Sequence, residues 1–364
     1  SAPTNRSPME SVTPSPALTR RRVRVRRPAS FGTGGECVIL RRMHWMDLEP
    51  AHARLALGAM RAVAGADGEL AEAERGLLEA AGRLLEIDPD VPPLTPAALA
   101  SAALAGRDAE RVVQAGILAA LLDGRVDAAE VEVVRALASA AGVDEPRVQN
   151  LAQIAKGRVR LAWLDLARRS FARDVFIDAL KRDGPRGVWK IVGPMLGRAV
   201  DPALAARYIA LGELPEGTLG HAYFRFVYDN GLGFPGEKGA VPESGVWHDV
   251  SHVLGGYGIA PREEVEVVSF IAGFTREDPF FWLFTITLQF HLGMRVSPYS
   301  QGGVGLVDPA RMLAAFARGA AMTEDLSVDG WDPWPWFPEP LEAVRARFGV
   351  RQAPDLGPAG APEG

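Results

Sequence analysis

An Asp-Gly turn set between two amphipathic stretches occurs twice in the first half of this chain, and no other feature restricts the fold as much. Asp67-Gly68-Glu69-Leu70-Ala71-Glu72-Ala73-Glu74 aligns with Asp123-Gly124-Arg125-Val126-Asp127-Ala128-Ala129-Glu130. The register continues through Leu77 with Val133, Leu78 with Val134, Ala81 with Leu137, and Ile87-Asp88 with Val143-Asp144. Apolar residues recur every three or four positions on both sides of each turn, the period of one helix face. A single helix–turn–helix unit cannot bury its apolar face alone, so two copies predict a helical bundle over residues 43–156. Asp67, Glu74, Asp123 and Glu130 then have two readings. Carboxylates at the start of a helix cap it and complement its dipole, and this is the preferred one. The other depends on the resemblance given below, and the longer alternation of oxygen ligands of a calcium-binding loop is missing.

The remaining 208 or so residues contain no sustained apolar/polar alternation of the kind strands require, so the whole chain is predicted to be all-α, in two helical domains. The length of 364 residues with 48% hydrophobic content is enough for two or three ordinary cores. A formal net charge of -5 argues against a protein that coats nucleic acid, and nucleic acid is not an expected partner. The single cysteine, Cys37, excludes an internal disulfide framework and any site built from several thiolates. An abundance of alanine and arginine over lysine is the pattern of a GC-rich bacterial genome.

Residues 1–42 are rich in Pro, Ser, Thr and Gly and are expected to be a disordered tail. The cluster Arg20, Arg21, Arg22, Arg24, Arg26 and Arg27 is basic enough to touch nucleic acid or anionic lipid, but it lacks the apolar core of a secretory signal. An equally good reading is an upstream start, with Met43 or Met46 beginning the folded chain. A charged helical connector is expected over 157–185, short helices at Val188–Leu196 and Ala203–Leu211, and a disordered tail over 351–364. The most apolar stretch, Pro279 to Met294, is too short to span a bilayer and contains Gln289 and His291. It reads first as a buried helix. A sharper reading makes it the wall of a pocket for a long apolar ligand, lined by Phe280, Phe281, Phe284 and Leu288, or a patch resting on the membrane.

Chemistry concentrates in Trp247-His248-Asp249-Val250-Ser251-His252, with Glu264 following after eleven further residues. On a helix His248 and His252 share one face, and Asp249 can reach the same point or orient a ring from behind. Gly255, Gly256, Gly258 and Pro261 break the chain, and Arg262 to Gly273 reads as a new helix. Helices joined by a short turn run antiparallel, which returns Glu264 to the histidines. Two imidazoles with one or two carboxylates suit zinc or another divalent ion. Glu263 is a weak candidate for proton relay, and His221 and His291 read as structural residues.

Two resemblances build on these residues. The repeated Asp-Gly turns make residues 43–156 similar to the TerB-like (tellurite-resistance) helical domains, and that resemblance implies a second metal ion held by Asp67, Glu74, Asp123 and Glu130. Residues 186–350 resemble the coenzyme Q biosynthesis protein 4 family. The carriers are His248, Asp249, His252 and Glu264 in their spacing, the Leu214-Pro-Glu-Gly-Thr-Leu-Gly-His-Ala-Tyr223 turn, and Val253-Leu254-Gly-Gly-Tyr257-Gly258; Ala317-Arg318-Gly319 and Leu341-Glu342 with Arg345 fit more loosely. That resemblance implies an all-α fold, a zinc or similar ion held by His248, Asp249, His252 and Glu264, and a tunnel for an isoprenoid tail. It implies a role in ubiquinone assembly, with decarboxylation of a polyprenylated hydroxybenzoate as the reaction. The partners it suggests are a polyprenylated quinone precursor, other enzymes of that assembly, the membrane surface and a second copy in a homodimer. The location it suggests is cytoplasmic, peripheral on the inner membrane. Two alternatives stay open: a non-catalytic lipid-binding scaffold, and a stress-response adaptor dominated by the TerB-like half.

Overall fold

The computed structural model describes residues 46–68, 70, 72–104, 106–169, 200–296 and 302–354, with isolated positions at 181, 184–186, 188, 189, 193 and 356. The basic tail, most of the Val188–Leu196 helix, the second half of the connector and the end of the C-terminal tail lie outside them. Among the described residues there are fourteen α-helices and no strand, so the chain is all-α. Two isolated bridges, Thr218 with Pro340 and Leu292 with Val304, are the remaining ladder-type pairings there.

Each repeat copy is a helix, a turn and a helix. The first comprises α1 (Pro50–Ala64) and α2 (Glu72–Leu85). After the short α3 (Pro96–Ser101), the second comprises α4 (Arg107–Leu121) and α5 (Ala128–Ala141). Gly68 and Gly124 occupy equivalent turn positions with φ of 104° and 78°, a region that L side chains rarely adopt. The first helices of the two copies lie against each other: α1 buries Ala56, Leu57, Met60 and Val63, and α4 buries Val113, Ile117, Leu118 and Leu121. Close approach is possible because Gly116 sits opposite Val63, where an added methyl would stand 3.2 Å from the valine side chain. Then come α6 (Pro146–Ala155) and α7 (Val159–Arg169), the part of the connector that is described.

The second half contains α8 (Pro202–Ile209), α9 (Leu219–Asp229), α10 (Val246–Gly255), α11 (Pro261–Phe274), α12 (Pro279–Phe290), α13 (Pro309–Ala320) and α14 (Leu341–Phe348). Most of these starts follow from local chemistry. Proline occupies the first turn of α8, α11, α12 and α13, where its missing N–H has no intrahelical partner to lose. Thr218 caps α9 by accepting from the His221 amide at 3.3 Å. The apolar stretch from 279 is helical only to Phe290, and Gly293 at φ 68° turns the chain away.

The apolar core runs continuously through both halves. α13 packs on α2 and α12 on α4. A polar link joins the same halves. Arg147, at the start of α6, is bound by Glu145 at 2.6 Å and grips both oxygens of Asp278 at 2.7 and 2.9 Å, with its guanidinium 5.0 Å from the Phe280 ring centre. Among the described residues no helix is long and apolar enough to cross a membrane.

Candidate metal centre

The site is built by the α10–turn–α11 hairpin. Gly256 ends α10 in the left-handed conformation at φ 73°. Pro261 starts α11, and Glu263 reaches back to accept from the Ala260 amide at 3.1 Å. Glu263, the weak proton-relay candidate, therefore has a backbone partner at the helix start. Its carboxylate also lies where a side chain at Gly258 would have to go. That glycine matters because its carbonyl faces His252: Nδ1 of His252 lies 2.9 Å from the Gly258 oxygen. A carbonyl only accepts, so Nδ1 carries the proton and Nε2 keeps its lone pair for a metal.

Nε2 of His252 points at Oε2 of Glu264, and Nε2 of His248 at Oε1, each at 3.4 Å. The ring centres of the two histidines are 5.0 Å apart and crossed at 68°. One ligand atom from each of these three residues lies within 4.8 Å of the others. Separations of 3.4 Å are long for a hydrogen bond. Each is close to the roughly 3.3–3.4 Å that separates a nitrogen from an oxygen donor on an ion at about 2.0–2.1 Å, so each imidazole could share a zinc with the Glu264 oxygen it faces. The residues present fit a divalent ion.

Asp249 stands elsewhere. Its Oδ1 lies 3.5 Å from Nδ1 of His248, behind the ring, outside the three-residue group. Burial opposes a charge on His248, but Asp249 and Glu264 outweigh it and raise the imidazole to about 10. Burial likewise opposes a charge on Glu264, and the two histidines overcome it, holding the carboxyl well below the ordinary range. The surroundings are aromatic on both sides. Phe226 stacks on His252 with centres 4.9 Å apart, and Trp247 meets Trp282 edge-on at 5.8 Å beside His248.

Two arginines fix the far end of α10. Arg345 donates to the carbonyls of Leu254 and Val253 at 3.0 and 2.7 Å, and Arg318 donates to Gly255 at 2.9 Å and to the Tyr257 hydroxyl. Cations there satisfy orphan carbonyls and oppose the negative helix end. They are 63 to 92 residues away in sequence. Their only trace in the chain is the loosely matching Arg318 and Arg345 of the resemblance.

The other residues singled out fall as follows. Phe280, Phe284 and Leu288 are fully buried in the core, while Phe281 is half-buried and meets Trp282 edge-on at 5.5 Å. In the repeats, Glu130 completes a capping box at the start of α5: it accepts from the Asp127 amide at 3.0 Å, and Asp127 accepts from Ala129 at 2.7 Å. Asp127, not Asp123, is the cap. Asp123 and Asp67 sit in the turns, and Glu74 is buried in the first turn of α2. Burial, partly offset by the Asp127 amide, raises Glu130 to about 8, with Asp123 and Glu74 adding repulsion. His221 lies in the first turn of α9. His291 is buried, with Nε2 3.1 Å from the Leu122 carbonyl. A scan against protein-family models matches none of them, and a search of curated proteins returns no significant match.

Proposed function

We propose that this protein holds a divalent metal ion, zinc by its donor set, at His248, His252 and Glu264, and that it binds a prenylated aromatic acid there as a ubiquinone-biosynthesis protein. The observation that carries the reading is the pair of 3.4 Å separations between two imidazole nitrogens and the two oxygens of one carboxylate. Three protein donors leave a further position for substrate, the arrangement of catalytic rather than structural zinc. When bound, such an ion supplies Lewis acidity toward a ring carboxylate or phenolate.

The chain's own residues do the rest. The Gly258 carbonyl holds His252 in one tautomer, and the Asp249 carboxylate places a negative charge beside the ring of His248. Phe226, Trp247 and Trp282 provide aromatic surface around the imidazoles, suited to an aromatic ring and the start of an apolar tail. Arg318 and Arg345 hold the helix that carries both histidines. The choice of a polyprenylated hydroxybenzoate as substrate, and of its decarboxylation as the reaction, rests on the resemblance of residues 186–350.

Metal analysis of the purified protein tests the site: one equivalent is expected, lost in the His248→Ala/His252→Ala variant. Incubation with a prenyl-hydroxybenzoate tests the reaction, with release of carbon dioxide expected from the parent and not from the variant. Full turnover by the metal-free variant would overturn the reading.

A further inference from the structure

Glu263 stands beside Glu264 in the first turn of α11, but its carboxylate serves the turn and lies outside the three-residue metal group. Oε2 accepts from the Ala260 amide at 3.1 Å. The same carboxylate lies against Gly258: a methyl added there would stand 2.3 Å from Oε2 and 2.7 Å from Cδ and from Oε1. Gly258 in turn faces the site, because its carbonyl oxygen is the 2.9 Å partner of Nδ1 of His252. One side chain therefore touches the chain on both sides of Ile259, and one of the residues it touches holds an imidazole.

The other holds on this turn end too early to do the same. The amides of Gly256 and Tyr257 donate to the His252 carbonyl at 2.8 and 3.0 Å, and Arg318 donates to the Tyr257 hydroxyl. Beyond Tyr257 burial gives no anchor: Ile259 is 44% exposed and Ala260 is exposed as well. Apart from the first hydrogen bond of α11, from the Glu264 amide to the Ala260 carbonyl at 2.9 Å, residues 258–260 are held among the described residues by Glu263 and His252.

We propose that Glu263 is a positioning residue for the metal group. By binding the Ala260 amide and packing on Gly258, it presents the Gly258 carbonyl to Nδ1 of His252 and so leaves Nε2 aimed at the ion. This rests on the metal reading above and gives Glu263 a task other than the proton relay expected from its place in the sequence. A ring already oriented loses little freedom when the ion arrives, so loss of the device lowers affinity and leaves stoichiometry unchanged.

Cobalt(II) titration of the full chain is the first measurement. Glu263→Ala still binds one equivalent but about 10–100-fold more weakly, as expected when a group that orients a ligand is lost. Glu263→Gln keeps an oxygen to accept from the Ala260 amide and stays within about threefold of the parent. Gly258→Ala displaces the Glu263 carboxylate, and because Gly258 lies outside the left-handed region the alanine adds no backbone strain of its own. It weakens binding as Glu263→Ala does, and the double variant is no worse than either, since both changes disable one contact. Unchanged affinity in Glu263→Ala, or additive losses in the double variant, overturns the proposal.

The second measurement separates positioning from helix capping. Solvent exchange of the His252 Nδ1–H is followed by nitrogen-15 NMR of histidine-labelled protein, with zinc and without it. Exchange is slow in the parent and in Glu263→Gln and about tenfold faster in Glu263→Ala, the worth of one hydrogen bond. A residue that only caps α11 would raise the unfolding constant in Glu263→Ala and leave both exchange and cobalt affinity at the parent's values, which overturns the positioning role. Absence of cobalt binding by the parent overturns the metal reading and the role toward the ion, while exchange in the metal-free chain still decides whether Glu263 sets the His252 ring.

Discussion

Replacing Gly319 by alanine sets two effects of opposite sign against each other. In an isolated helix the change favours folding by about 1 kcal/mol, because alanine is the better helix former. Here α13 crosses α11 at this residue, and a methyl at Gly319 would stand 1.9 Å from the Phe270 carbonyl oxygen, where ordinary contact begins at 3.4 Å. The obstacle is backbone, so no side-chain rotation relieves it, and the helices must part by roughly 1.5 Å. A gap of even about 0.5–1 Å forfeits a quarter to a half of each dispersion contact. The contacts at stake are those of Phe270, Ile271, Phe274, Met312 and Phe316, all at most 2% exposed. Overpacking of this kind costs about 1–3 kcal/mol, and a rigid backbone clash belongs at the top of that range or above it. The clash wins. A net loss of about 2–3 kcal/mol is expected, a thermal midpoint lower by about 3–4 °C for a chain of this size.

Gly273 faces the same crossing from α11, with an added methyl 2.2 Å from the Phe316 carbonyl. One separation accommodates both methyls, so Gly273→Ala/Gly319→Ala should cost clearly less than the sum of the single changes. Because α11 carries Glu264 and α13 carries Arg318, metal affinity should fall alongside stability. Chemical denaturation of the three variants is the assay. A Gly319→Ala protein within about 0.5 kcal/mol of the parent would refute the reasoning.

Two further outcomes can be checked by similar means. Arg147→Met leaves Glu145, only 3% exposed at its side chain, without its counter-charge, and should cost about 3–5 kcal/mol by urea denaturation; adding Glu145→Gln should restore more than half, and no restoration would sink the argument. Glu130 holds its proton to about pH 8 in the folded chain, against 4.5 for an ordinary glutamate, so between those limits the folded state binds a proton that the unfolded state has lost. Stability therefore falls as pH rises through that window, by about 1.4 kcal/mol per unit, and levels off above it. Glu130→Gln keeps the acceptor for the Asp127 amide and should flatten that slope; identical slopes in the two proteins would contradict it.

Helix existence was largely legible in the chain because it depends on near neighbours. The i, i+4 pair His248 and His252, the Thr218 cap, the Pro261 start and the Gly256 stop are all decided within a few residues. For the same reason the short turn between α10 and α11 brought Glu264 back to the histidines. The repeat correctly placed α1, α2, α4 and α5, but spacing alone did not separate Asp127, which makes the cap, from Asp123, which does not. Other features rest on contacts between residues far apart, where periodicity carries no information. The Arg147–Asp278 link, the carbonyls of α10 held by Arg318 and Arg345, and the packing of α12 and α13 on the repeat helices are of this kind. Local sequence determined which segments are helices and which donors share a face; long-range burial decided which buried polar atoms need one another.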